Sequence, residues 1–228
     1  MDWKARITQT HVITKAFIDG AFVDAQSGKT FERINPATGQ SLAHIAACDE
    51  ADVDKAVSAA RRSFDAGVWS ALAPKARKAI MLRWSQLILE HKEELALLET
   101  LDTGKPIAET LRVDGPSCAE AIAWYAEAID KIYDEIAPNG IDTLALVTRE
   151  PLGVVAAVVP WNYPLIIAAW KLGPALAVGN SVILKPAEQS SLGALKLAEL
   201  ANEAGIPAGV FNVLPGLGEQ VGTRLAKA

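Results

Sequence analysis

Apolar positions change their spacing twice along the 228 residues, and each change predicts a different kind of element. Residues 17–47 read as short runs and turns. FIDGAFVD sets Gly20 between two apolar pairs, a hairpin signal, and INPATGQ carries Pro36 and Gly39 as a turn before the run LAHIAA. From Asp49 the spacing turns helical. Asp49 and Asp52 make a capping-box-like start, and Val53, Val57, Ala60 and Phe64 then share a face. Pro74 suits the first turn of a second helix, with a stripe through Ile80, Trp84, Leu87, Ile88, Leu95 and Leu98 that Gly104 closes. A third helix is predicted from about Val113 to Ile136, with Ile122, Ala126, Ile129 and Tyr133 aligned.

After Asn139-Gly140 the rhythm changes again. The apolar runs VVAAVV (154–159), SVILK (181–185) and VFNVL (210–214) are separated by helical patterns over about 163–178 and 192–205, and a further one covers 217–227. Strands alternating with helices through short links predict a parallel sheet with crossover helices, and fully buried parallel strands are expected to be apolar throughout. The fold class is therefore α/β: a partial parallel, Rossmann-like sheet of about three strands, preceded by a β-hairpin and long α-helices. Three strands make half of a doubly wound sheet, and the third is expected to keep a free outer edge.

Composition narrows the partners. The net charge is −5 and no cluster of Lys and Arg appears, which argues against nucleic acid. Cys48 and Cys118 are far apart and form no CxxC pair, so a reducing, cytoplasmic compartment is expected. The opening MDWKARITQTHVITKAF lacks an apolar core long enough for a signal peptide. Pro151 to Trp170 is free of charge, but Pro151, Pro160, Pro164 and Asn162 interrupt it, so two buried elements joined by a tight turn are expected rather than a membrane span.

Ligands of open parallel sheets gather beyond the carboxyl ends of the strands. PWNYP, KPAEQS and PGLGEQVG lie there. Asn162 reads first as a helix N-cap and second as an amide donor to an oxyanion. Lys185 reads as a strand-end lysine reaching solvent, or as a group for a ribose hydroxyl or a phosphate. Glu188 reads as an acid near a helix N-terminus, or as an acceptor of ribose hydroxyls that would repel a 2′-phosphate. Gly216, Gly218 and Gly222 give G-x-G-x-x-x-G, one residue longer than the dinucleotide fingerprint and after the third strand instead of the first. Neither cysteine has the positive surroundings that activate a thiolate. His11, His44 and His91 have no metal-ligand spacing.

The segments VVPWNYPL, LKPAEQS and VFNVLPG, with INPATG, DVDKAVSAARRSF and LDTGKP upstream, resemble the aldehyde dehydrogenase superfamily from about Phe17 to Lys227. ELALLETLDTGKPI and WYAEAIDKIY are similar to its γ-glutamyl-γ-aminobutyraldehyde dehydrogenase branch. The resemblance implies oxidation of a small-molecule aldehyde to an acid with NAD, NADP being less favoured. Residues 1–140 then match the amino-terminal strands and the helical part of the cofactor domain, and 141–228 match an incomplete NAD-binding βαβ region. Asn162 matches the oxyanion-hole asparagine. Lys185 and Glu188, flanking Pro186 and Ala187, match the pair that holds the adenosine ribose. Val158, Val159, Pro160 and Trp161 match the cofactor cleft wall, and Gly218 and Gly222 the turn beside the adenine. Tyr163, Ile167 and Trp170 match the aldehyde tunnel. Ile34, Asp102 and Gln189 fall where some members hold a monovalent cation, and no metal site is assigned to them. Family chains are about twice this length and homo-oligomerise. The segments with the catalytic cysteine and the general-base glutamate are absent here, as is most of the oligomerisation domain. The expectation is a truncated, inactive family member, with two alternatives: half of a split enzyme whose partner chain supplies the rest, or a non-catalytic nucleotide-binding module.

Overall fold

A computed structural model describes residues 3–7 and 10–228, the side chain of Lys4 excepted. The opening segment read above for a leader thus lies partly outside the described residues. A short helix α1 (Trp3–Ile7) precedes the hairpin β1 (Ala16–Ile18) and β2 (Ala21–Val23). Asp19 and Gly20 have φ of 56° and 78°. This is the left-handed backbone that a two-residue hairpin turn requires. A second hairpin joins β3 (Thr30–Ile34) to β4 (Ser41–Ala46).

Three long helical regions follow. α2 (Glu50–Asp65) begins at the expected capping box: Asp49 accepts from the Ala51 N–H, and Asp52 accepts from the Asp49 N–H. Its buried face includes Val53 and Ala60, with Ala56, Ala59 and Ser63 instead of Phe64. The single helix expected from Pro74 to Gly104 is two, α3 (Pro74–Glu90) and α4 (Lys92–Thr103), because His91 leaves the helical region at φ −98°, ψ 16°. The apolar stripe continues across the break, which is why periodicity did not reveal it. Gly104 closes α4 in the left-handed conformation.

α5 (Ile107–Glu109) passes through a π-helical turn at Thr110–Asp114 into α6 (Gly115–Ala128). The third helix therefore stops eight residues before Ile136. Ile136 lies instead in β5 (Glu135–Ala137), which pairs antiparallel with β6 (Ala145–Val147). Tyr133 and Ile136 are exposed, with Leu144, Leu146 and Val147 beside them on this second short ribbon.

The expected parallel strands are β7 (Val154–Val158), β8 (Ser181–Lys185) and β9 (Phe211–Val213), alternating with α7 (Pro164–Ala177), α8 (Leu192–Ala204) and a last helical turn α9 (Thr223–Leu225). The sheet order is β2-β1-β9-β8-β7. The free edge is thus not that of β9: β1 returns antiparallel beside it, pairing Phe17 with Val213. β7 is the open strand. The main core lies between the sheet and α3, α4, α6, α7 and α8, around Trp69, Trp84, Leu95, Leu165, Leu172 and Phe211. No helix among the described residues is long and apolar enough to cross a membrane, and residues 151–170 form β7, a loop and the start of α7.

Candidate cofactor and oxyanion site

Parallel register brings the strand ends to one line. Val158 pairs with Lys185 and Leu184 with Val213. The Val159 N–H donates to the Lys185 carbonyl at 3.1 Å, and the Leu214 N–H to the Leu184 carbonyl at 2.9 Å. The loops beginning at Pro160, Pro186 and Pro215 therefore leave the same edge of the sheet.

Lys185 does not reach solvent. Its side chain is 3% exposed, and its Nζ donates to Glu188 Oε2 at 3.1 Å. Glu188 does not start the next helix, which begins at Leu192. Partial burial pushes its carboxyl up, but its own backbone N–H and the Lys185 ammonium outweigh that and hold it below the usual range. Pro186 and Ala187, between them, are buried. Across the line, a Cβ added at Gly218 would lie 3.9 Å from Lys185 Nζ, so the last loop passes directly over the ammonium. That loop is held by Gly216, where a Cβ would stand 2.8 Å from the Cys48 carbonyl oxygen and 2.7 Å from Val221 Cγ2. Gly218 and Gly222 bound a π-helical turn with an exposed start.

Val158, Pro160, Trp161, Asn162 and Tyr163 are exposed beside this line, while Val159 is buried. The N-cap reading of Asn162 fails. Tyr163 occupies the cap position of α7 with no side-chain cap bond, and among the described residues the Asn162 amide makes no hydrogen bond. It is a free donor.

Behind it lies a charged cluster that the sequence did not disclose. Lys105 Nζ sits 3.8 Å from the centroid of the Tyr163 ring. The same ammonium donates to Glu99 Oε1 and Asp114 Oδ2, each at 3.1 Å. Burial, then the Asp114 charge, push the Glu99 carboxyl up to about 8. One ammonium cannot satisfy two buried carboxylates, and among the described residues Glu99 Oε2 has no hydrogen-bond partner. Both cysteines are buried: desolvation raises the Cys118 thiol, helped by Glu99 and Asp114, and raises Cys48, helped by Asp52 and Asp49. Neither is a thiolate near neutral pH.

Along α7, the face nearest α6 opens a groove of about 460 Å³ lined by Ser117, Glu120, Ala121, Trp124, Tyr125, Ile166 and Trp170. The two helices close up where a Cβ at Gly173 would meet the Tyr125 ring at 2.5 Å. Of the three expected tunnel residues, only Trp170 lines this groove. Ile167 packs against the core, and Tyr163 sits at the Lys105 end. Ser117, Glu120 and Trp124 escaped notice because they lie on the polar side of a helix judged by its apolar stripe.

The sequence model of the Aldehyde dehydrogenase family matches residues 22–228. An aminoacetaldehyde dehydrogenase of Pseudomonas aeruginosa is 55% identical over 213 residues, which are 93% of this chain and 43% of that one. Among solved structures, an indole-3-acetaldehyde dehydrogenase of P. syringae in complex with NAD+ and IAA superposes with a TM-score of 0.98 at 57% identity, covering 100% of this chain and 46% of that one. A γ-glutamyl-γ-aminobutyraldehyde dehydrogenase of Burkholderia cenocepacia superposes with a TM-score of 0.97 at 58% identity, covering 99% of this chain and 45% of that one. The chain spans about half the length of the relatives it matches.

Proposed function

The chain belongs to the aldehyde dehydrogenase family, and from that premise we propose that residues 141–228 carry part of an NAD cleft serving the oxidation of an aldehyde to a carboxylic acid. The observation behind this reading is the buried Lys185 beneath Gly218, paired with the half-buried Glu188, on the sheet edge whose first loop holds Asn162, an amide with no hydrogen bond among the described residues.

The residues fit the dinucleotide. An ammonium has three donors, and Lys185 has one acceptor, Glu188, so it has protons left for ribose hydroxyls. The Glu188 carboxylate accepts from the same hydroxyls and repels a 2′-phosphate, which favours NAD over NADP. The bare backbone at Gly218 and Gly222 allows close approach, and Val158, Val159, Pro160, Trp161, Pro186 and Ala187 wall the cleft. Bound NAD supplies the hydride acceptor. Asn162 donates its amide hydrogen to the oxyanion formed when a nucleophile adds to the aldehyde carbonyl. Tyr163, Ile167 and Trp170 border the aldehyde path.

The nucleophile must come from beyond these residues. Both thiols present are buried and held protonated, so the chain by itself binds cofactor without oxidising aldehyde. A second reading, half of a split enzyme, draws support from the unpaired edge of β7, to which a partner chain could add a strand. Two buried, unpaired thiols favour a reducing, cytoplasmic setting. Titrating NAD while following tryptophan emission, then adding aldehydes and following NADH absorbance, tests these assignments. Saturable quenching without turnover is expected. A flat titration removes the cleft, and sustained NADH production removes the claim about the thiols.

A further inference from the structure

Arg33 is a buried cation on a strand whose neighbouring positions face outward. The β3–β4 register is regular through Arg33 and shifts only after it, so alternation along the strand sets Arg33 on the same inward face as the half-buried Phe31. Its Nε donates to Asp102 Oδ1 at 2.5 Å, and its Nη2 donates to the Asp102 main-chain carbonyl. The second oxygen of that carboxylate accepts the Leu192 N–H at 2.8 Å. One guanidinium thus joins the second hairpin to the carboxyl-terminal end of α4, and through Asp102 to the amino-terminal end of α8. Carbonyl oxygens gather at a helix carboxyl terminus and attract positive charge there.

We infer that Arg33 is a built-in cation for this joint, standing on Asp102, one of the three residues where the family resemblance would put a monovalent metal ion. The charge count supports this. The side chains of Arg33 and Asp102 are 8% and 1% exposed, and together they are neutral. A metal ion on the same carbonyl would add a second, uncompensated positive charge in a dry site, against the guanidinium. The planar fork also suits a carboxylate edge and an adjacent carbonyl together, which a spherical ion does not require. The residues therefore do not fit an alkali metal, and the α4–β3–α8 joint is independent of potassium and sodium.

Thermal unfolding of the full chain at matched ionic strength tests this without reference to catalysis, so its outcome is separate from that of the dehydrogenase reading. The melting temperature is expected to be the same in potassium, sodium and tetramethylammonium chloride. Arg33→Ala vacates the oxygens. It is expected to melt several degrees lower and to gain a rise in potassium over tetramethylammonium that the parent lacks. If Arg33→Ala does not fold, Arg33→Lys, which keeps a charge but cannot span both acceptors, is expected to melt lower with a smaller potassium response. A potassium- or sodium-specific rise in the parent would overturn the inference. So would a variant as stable as the parent, or one indifferent to the identity of the cation.

Discussion

Two lysines sit close to the same sheet edge, and they are bound in opposite ways. Lys105, 17% exposed, is held between two carboxylates that are 0% and 1% exposed. Lys185 is 3% exposed, yet its one partner, Glu188, is 34% exposed. The first site has more negative charge than its cation can neutralise, so Glu99 keeps a proton. The second has an ammonium with donors to spare and a carboxylate open to solvent. A saturated cluster props its surroundings, here the Tyr163 ring beside Asn162, whereas an unsaturated pair can take a ligand. Burial alone does not separate the two cases; the number of acceptors per donor does.

Substitutions can break that contrast. Lys105→Met is expected to have the largest effect, lowering stability by about 3–5 kcal/mol in urea unfolding, because it strands the buried Asp114 carboxylate and takes away the donor to Glu99. A loss near zero would show that Lys105 supports nothing. Next comes pH. Glu99 is raised from 4.5 to about 8 and Asp102 from 3.8 to about 6, each chiefly by burial. Between the unfolded and folded values the folded chain holds protons that the unfolded chain has released, so stability falls as pH rises through this window. The decline is expected to be on the order of several kcal/mol, and Glu99→Gln should flatten its upper part. Stability that climbs from pH 5 to 8 would contradict the protonated Glu99.

Lys185→Met should instead weaken NAD about tenfold, or roughly 1.4 kcal/mol, by fluorescence titration, with little change in the urea midpoint. A stability loss like that of Lys105→Met would make the two lysines equivalent and erase the distinction. The smallest effect is expected for Glu188→Gln, which removes the charge that repels a 2′-phosphate. The ratio of NADP to NAD affinity should rise by about a few fold on competitive titration.

Local rules were legible in the sequence, and long-range ones were not. The Asp49 capping box, the Asp19-Gly20 turn and Gly104 at the end of α4 depend on residues within a few positions of one another, and each was visible. The pairing of Phe17 with Val213 joins residues at opposite ends of the chain, so the sheet edge was assigned to the wrong strand. The break at His91 hid because both helices bury the same stripe, and β5 hid because its apolar residues continued a helical spacing. At the site, Lys185, Glu188 and Asn162 announced themselves through strand ends and turns. Lys105 and Arg33 did not, because a charged residue in a sequence carries no mark of the buried acid it will meet.

The open flank of β7 limits how copies of this chain could join. At the opposite end of the sheet, β2 is only three residues long, and the charged Asp24 follows it directly. If β7 paired with β7 of a second copy about a two-fold axis, the two strands would run antiparallel, and the resulting ten-stranded sheet would have a blunt β2 at each end. Such a pair is closed, so association by this route would end at dimers and not grow into fibres.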